Sequence, residues 1–309
     1  MEKNSFWVKY QFTIILLLIM LISTIFVIGS GNTNMEGAPE LSVAMIIIMA
    51  IVGTVSGLLG GWIGTGGCSV MLPVLHFWLG FSAPIAVGTT LFAVIFTAVS
   101  GGYGHFKQKN LDKRVTLWMG GAGIIGVILG SWLFTFLSDQ SELLGFIIGL
   151  VFLWPSFRMI WEGIKGLKKS VSAKASTQVQ DNSIKGHPAN LSIFGAIVGT
   201  LTGLVGLGGG YALVPGLIYL FGAPVYITMG TSLAVMIPMA AVGGVIKFAQ
   251  GYVFISAALV LASGTIIGAQ IGAATIKKFR PNTLKLIFGI YFLYVAIKYL
   301  GNFIGFHVW

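Results

Sequence analysis

The chain has 309 residues, 56% of them hydrophobic and only 8% charged, against about 25% charged in soluble globular domains. That composition excludes a soluble domain and points to an integral membrane protein, whose apolar runs of about 20 residues suit a hydrocarbon core of roughly 30 Å. The net charge of +10 does not indicate a nucleic-acid partner, because the basic residues fall in short clusters between apolar runs instead of on one polar face.

The first run, 10–29, follows Lys3 and Lys9. Its apolar core of about 18 residues exceeds the roughly 7 to 15 of a cleavable signal peptide, so a retained transmembrane helix is expected. Runs at 42–62, a short one at 66–80, then 84–106, 115–137 and 142–164 come next. After a polar stretch at 165–190 the order recurs as 191–207, a short run at 209–222, 226–247, 253–276 and 284–304. Strand-like alternation is absent, so these segments, about nine to eleven, predict an all-α polytopic membrane protein.

Basic clusters at 107–114, 165–185 and 277–285 belong on the cytoplasmic side, and the acidic stretches 34–40 and 138–142 outside. One orientation satisfies them all, with the amino terminus inside and the carboxyl terminus outside. The stretch 165–190 reads as a polar cytoplasmic linker.

The two sides of that linker resemble each other. "GTVSGLLG" (53–60) aligns with "GTLTGLVG" (199–206), "GGCSVMLP" (66–73) with "GGGYALVP" (208–215), and "GTTL" (88–91) with "GTSL" (230–233). This alignment gives the first copy four extra residues near "WIGT". Charge parity makes the copies opposite in direction, so two inverted-topology repeats are expected, each with a short broken or re-entrant helix. The expected organisation is 1–41, an amino-terminal helix and external loop; 42–164, the first repeat; 165–190, the linker; and 191–309, the second repeat.

Inverted repeats with short Gly/Pro-broken segments are the signature of a transporter that binds its substrate near the bilayer midplane. Gly66, Gly67, Cys68 and Ser69 in one copy, and Gly208, Gly209, Gly210 and Tyr211 in the other, free backbone N–H groups at a helix start, which suits an anion. Small residues also serve close helix packing. Thr89, Thr90, Thr231 and Ser232 offer hydroxyls to an oxyanion, or bond back to their own helices. His76 is a candidate for proton coupling or a packed histidine. His105 and Lys247 are read as interfacial anchors or anion attractors, and Gln270 as a path-lining or helix-bridging residue. No Asp or Glu falls deep in a run, which favours an anion over a cation. The lone Cys68 allows no intramolecular disulfide. An anion channel shares this chemistry. An intramembrane serine protease would need Ser100, in "AVSGG", to meet His76 as its base.

The paired motifs at 53–73 and 199–215, "AVGTTL" at 86–91 and "TMGTSL" at 228–233 resemble the sulfite exporter TauE/SafE family over about 42–304. The resemblance implies a bacterial or archaeal inner-membrane exporter of small sulfur-containing anions such as sulfite, sulfoacetate or other organosulfonates. It would be a non-enzyme without cofactor or metal, and a proton or a sodium ion is the candidate coupling ion for such a carrier. The extra residues and Cys68 depart from a symmetric pattern, so substrate preference is expected to be set there.

Overall fold

The computed structural model describes residues 3–31, 33–170, 184–276 and 281–306. Among them the chain is helical: α1 (Lys3–Gly29), α2 (Val43–Ile63), α3 (Cys68–Pro73), α4 (Ala83–Lys107), α5 (Lys113–Leu137), α6 (Ser141–Ser170), α7 (Pro188–Val205), α8 (Gly210–Tyr219), α9 (Val225–Ala249), α10 (Ile255–Thr275) and α11 (Pro281–Ile304). A π-helical turn, Val74–Trp78, continues α3. Nine of the described helices are long and apolar enough to cross a membrane, and the α3 stretch and α8 are shorter apolar helices. Every segment read from the sequence is a helix. The linker is shorter than expected because α6 continues through Ser170, and residues 171–183 lie outside the described residues. So do parts of the basic cluster at 277–285.

Sequence-local signals set the helix ends. Ser42 Oγ accepts from Met45 N at 3.2 Å, and Asp112 Oδ1 accepts from Val115 N at 3.1 Å, each satisfying one orphan amide of a first turn. Asp112 Oδ2 also accepts from Ile184 N at 3.1 Å, tying the start of α5 to the chain just before α7.

The packing crosses between the two sides of the linker. α2 lies along α10, α5 along α7, α6 along α11, and α4 against α9 at the centre. Glycines permit the closest approaches: Gly53, Gly57 and Gly61 of α2 sit on Leu261, Thr265 and Ala269 of α10, while Gly195, Gly199 and Gly203 of α7 sit on Met119, Gly123 and Val127 of α5. Large apolar side chains such as Ile22, Ile25, Leu117 and Trp161 are exposed on the outside, as a lipid-facing surface requires.

These contacts correct the alignment of the first helices. Each residue of the α7–α5 set has its counterpart in the α2–α10 set at one constant spacing, the spacing that also relates Gly66 to Gly208. The capping glycines agree, Gly64 ending α2 and Gly206 ending α7. The first copy therefore has no four extra residues.

Candidate functional site in paired helix breaks

After α2 the chain passes through Gly64, Gly66 and Gly67 before α3. After α7 it passes through Gly206, Gly208 and Gly209 before α8. All six have φ between +66° and +81°, the left-handed region that costs a residue with a Cβ about 1–2 kcal/mol. The sequence thus breaks each helix at a place only glycine fits well.

The two breaks touch. Cys68 Sγ lies against the Leu207 carbonyl, with the Thr65 carbonyl 3.4 Å away. A Cβ on Gly210 would stand 2.7 Å from Thr65 C. Gly66 and Gly208 both face Met236 of α9 and Val94 of α4, so the central helices close over both breaks.

Each short helix starts with amides in need of acceptors. The first amides to find a backbone carbonyl are those of Val70, bonding Gly67 O at 3.0 Å, and Ala212, bonding Gly209 O at 3.0 Å. The amides of Cys68 and Ser69, and of Gly210 and Tyr211, precede them and lie outside the intrahelical ladder. Around them, Ser56 Oγ, Thr65 Oγ1, Ser69 Oγ and Tyr211 OH are buried without a hydrogen-bond partner among the described residues. Ser56 abuts Gly67. Ser69 and Tyr211 occupy matching places, second in their helices.

The hydroxyls beside the breaks are engaged. Thr90 Oγ1 donates to Ala86 O at 2.7 Å, and Ser232 Oγ to Gly64 O at 2.8 Å and Met229 O at 2.9 Å. Thr89 Oγ1 accepts from Phe254 N at 3.0 Å, and Thr231 Oγ1 accepts from Asp112 N at 2.9 Å. They fix the α9–α10 and α4–α5 connections onto the core.

Residues 48–299 match the family described as sulfite exporter TauE/SafE. The chain belongs to that family. Among its relatives, two probable membrane transporter proteins of Bacillus subtilis are each 27% identical: YdhB, covering 74% of this chain and 89% of the relative, and YunE, covering 82% and 96%. Another, MJ0441 of Methanocaldococcus jannaschii, is 26% identical over 79% of this chain and 91% of the relative. No solved structure matches. The protein is thus a membrane transporter of the TauE/SafE family.

In this family member the remaining candidates separate. Ser100 Oγ donates to Ile266 O at 2.9 Å, whereas His76 Nδ1 meets Phe81 O at 2.9 Å and its ring stacks on Tyr299. His76 lines an outer hollow with Gly37, Ala38 and Pro39. Gln270 lines a crevice between α1 and α10 with Thr13 and Thr275, and its Oε1 lacks a partner among the described residues.

His105 and Lys247 are not interfacial anchors. Both side chains are fully buried, at 0% exposure, because α4 and α9 are the central helices and carry their last turns inside the bundle. His105 Nε2 meets Gly61 O at 3.0 Å, and Lys247 Nζ lies 3.2 Å from the centroid of the Phe134 ring. Sequence reasoning missed Ser56, Thr65, Val94 and Met236. Thr65 stands between the glycines of the first break, and Val94 and Met236 stand at the spacing that relates Gly66 to Gly208.

Proposed function

We propose that this transporter carries small sulfur-containing anions, such as sulfite, sulfoacetate or other organosulfonates, and exports them by alternating access. The observation that carries the reading is the pair of touching breaks, each with helix-start amides outside the intrahelical ladder and an unpartnered buried hydroxyl, Ser69 in one and Tyr211 in the other. Such donors suit an oxyanion that has shed water. No Asp or Glu is among the buried residues described, so fixed negative charge does not oppose an anion there.

The proposed site comprises Gly66, Gly67, Cys68, Ser69, Thr89, Thr90, Gly208, Gly209, Gly210, Tyr211, Thr231 and Ser232, with His76, His105, Lys247 and Gln270 along the path or in coupling to a proton or sodium ion. All twelve site residues are buried, which fits a closed state of a carrier better than an open pore. The repeats 42–164 and 191–309 are taken as inverted, with 1–41 as a separate amino-terminal helix and 165–190 as a cytoplasmic linker. With the two short helices each completing a pass beside the nine longer apolar helices described, that linker falls inside and the termini fall on opposite faces, amino terminus inside, in a bacterial or archaeal plasma membrane.

The test is flux of labelled sulfite and sulfonates into proteoliposomes. Saturable, slow, counter-ion-dependent flux is expected. Fast non-saturating flux would make the protein an anion channel, and no response to any anion of a broad panel would overturn the reading.

A further inference from the structure

One face of α9 runs from the breaks to a buried charge. Met236, Ala240, Gly243 and Lys247 follow each other by three or four residues and so line one side of the helix. Met236 faces Gly66 and Gly208, Gly243 packs on Leu91 and Val127, and Lys247 Nζ stands over Phe134. α5 answers with Val127, Ser131 and Phe134 at the same spacing. By helical rise the Lys247 end of this seam is about 16 Å from the Met236 end.

Three buried polar atoms there lack a hydrogen-bond partner among the described residues: Lys247 Nζ, Ser131 Oγ and Gln250 Oε1. Gln250 Nε2 donates to Ser131 O at 3.3 Å. Tyr252 closes the end, its OH donating to Ser138 Oγ at 2.8 Å and its ring edge-on to Phe134. An aromatic face attracts an ammonium but accepts none of its conventional hydrogen bonds. A fully buried ammonium without a carboxylate is costly; the amine can rest neutral there, and an anion arriving beside it favours the charged form.

The matching end of α4 differs. There His105 Nε2 has the Gly61 carbonyl while its Nδ1 lacks a partner among the described residues, Gln108 Nε2 donates to Ala273 O at 2.6 Å, and Gln108 Oε1 accepts from Asn110 Nδ2 at 3.4 Å. Ala273 and Ile276 stand where the other end has Ser131 and Phe134. The free ammonium and free hydroxyl are therefore features of the Lys247 end.

We propose that Lys247, with the Ser131 hydroxyl, forms a second anion station, which takes the oxyanion group of the substrate on the α5–α9 side once it has left the breaks. This rests on the anion-carrier reading. The station binds through the ammonium and one hydroxyl, and Gln250 Oε1 is its one acceptor, suited to a ligand that keeps a hydroxyl proton.

The test compares wild type, Lys247→Met, Lys247→Arg and Ser131→Ala by thermal unfolding in detergent and by proteoliposome flux, with sodium sulfite and sodium methanesulfonate as probes. Without anion, Lys247→Met is expected to melt higher than wild type, because it removes a buried polar group that has no hydrogen-bond partner among the described residues. With sulfite it should lose the stabilisation wild type gains, and its KM should rise about tenfold or more. Lys247→Arg should keep the anion response, and Ser131→Ala should raise KM several-fold. A Lys247→Met variant that melts lower without anion and keeps the wild-type KM overturns the station and leaves the carrier reading standing. If Lys247→Met does not fold, Ser131→Ala decides, an unchanged KM overturning the station. A wild-type protein that answers no anion overturns the carrier reading, and the station with it.

Discussion

The thiol of Cys68 faces the carbonyl of Leu207, across the seam where the two helix breaks meet. Its matching position in the other half is Gly210, which lies flat on Thr65. One break therefore plugs the other with a side chain, and the other answers with bare backbone. Anything held between the breaks must part this contact.

Cys68 is the only cysteine of the chain and is fully buried, so it reports on that parting. In proteoliposomes without substrate the thiol is expected to resist N-ethylmaleimide, and labelling should quicken during sulfite turnover. Equally fast labelling in both conditions would rule out a seam that opens with transport. Cys68→Ala should fold, with a stability loss of about 1 kcal/mol for the missing contact, read as a lower melting temperature.

Gly67 and Gly209 start the short helices at φ +76° and +81°, yet their surroundings differ. A Cβ at Gly67 would press on the Ser56 backbone, its carbonyl carbon 2.7 Å away, whereas at Gly209 the nearest atom would be Thr202 Oγ1 at 2.8 Å. The Thr202 side chain can shift only at the expense of its bond to Val198 O at 2.8 Å, but a helix backbone gives way less still. Gly209→Ala should therefore cost the roughly 1–2 kcal/mol of the left-handed conformation plus that shift, and Gly67→Ala clearly more. Valine at either place should abolish stabilisation by sulfite in a thermal-shift assay.

The helices were legible because twenty-residue apolar runs and flanking charges are local signals. The register of the first pair was not. Gly53, Gly57 and Gly61 recur every four residues, as do Gly195, Gly199 and Gly203, so sliding one helix by a turn matches glycine to glycine again. Only the facing residues, Leu261 against Met119 for example, decide between the two fits. His105 and Lys247 misled for a related reason. A charge near a helix end reads as interfacial unless one knows that α4 and α9 are central. The breaks themselves were visible as glycine clusters, and the repeat of the motif brings their helix starts towards one another; which atoms meet there, Cys68 Sγ and the Leu207 carbonyl, is tertiary and left no mark in the sequence.

Thr89 and Thr231 make a paired test of the core. Each hydroxyl accepts from an amide in a connection on the other side of the bundle, Phe254 N and Asp112 N. Valine at either position keeps the shape and leaves that amide unpaired, at a cost of about 1–3 kcal/mol. Thr89→Val and Thr231→Val should both lower the melting temperature, and serine at each should restore most of it. An unchanged melting temperature would mean that water replaces the threonine.

The glycines of α5 and α7 give the last prediction, because two of them on adjacent helices should respond in opposite senses. A Cβ at Gly121 would meet nothing within 4 Å, whereas a Cβ at Gly199 would lie 2.9 Å from both Cα and C of Gly123. Alanine lowers the backbone entropy cost of a helix by about 0.5–1 kcal/mol relative to glycine where space allows. Gly121→Ala is therefore expected to raise the melting temperature slightly without changing flux. Gly199→Ala must push α7 off α5, and since α7 leads directly into the second break, it should lower both the melting temperature and the rate of sulfite flux. Equal melting temperatures for the two variants would mean that the α5–α7 contact is looser than these distances imply.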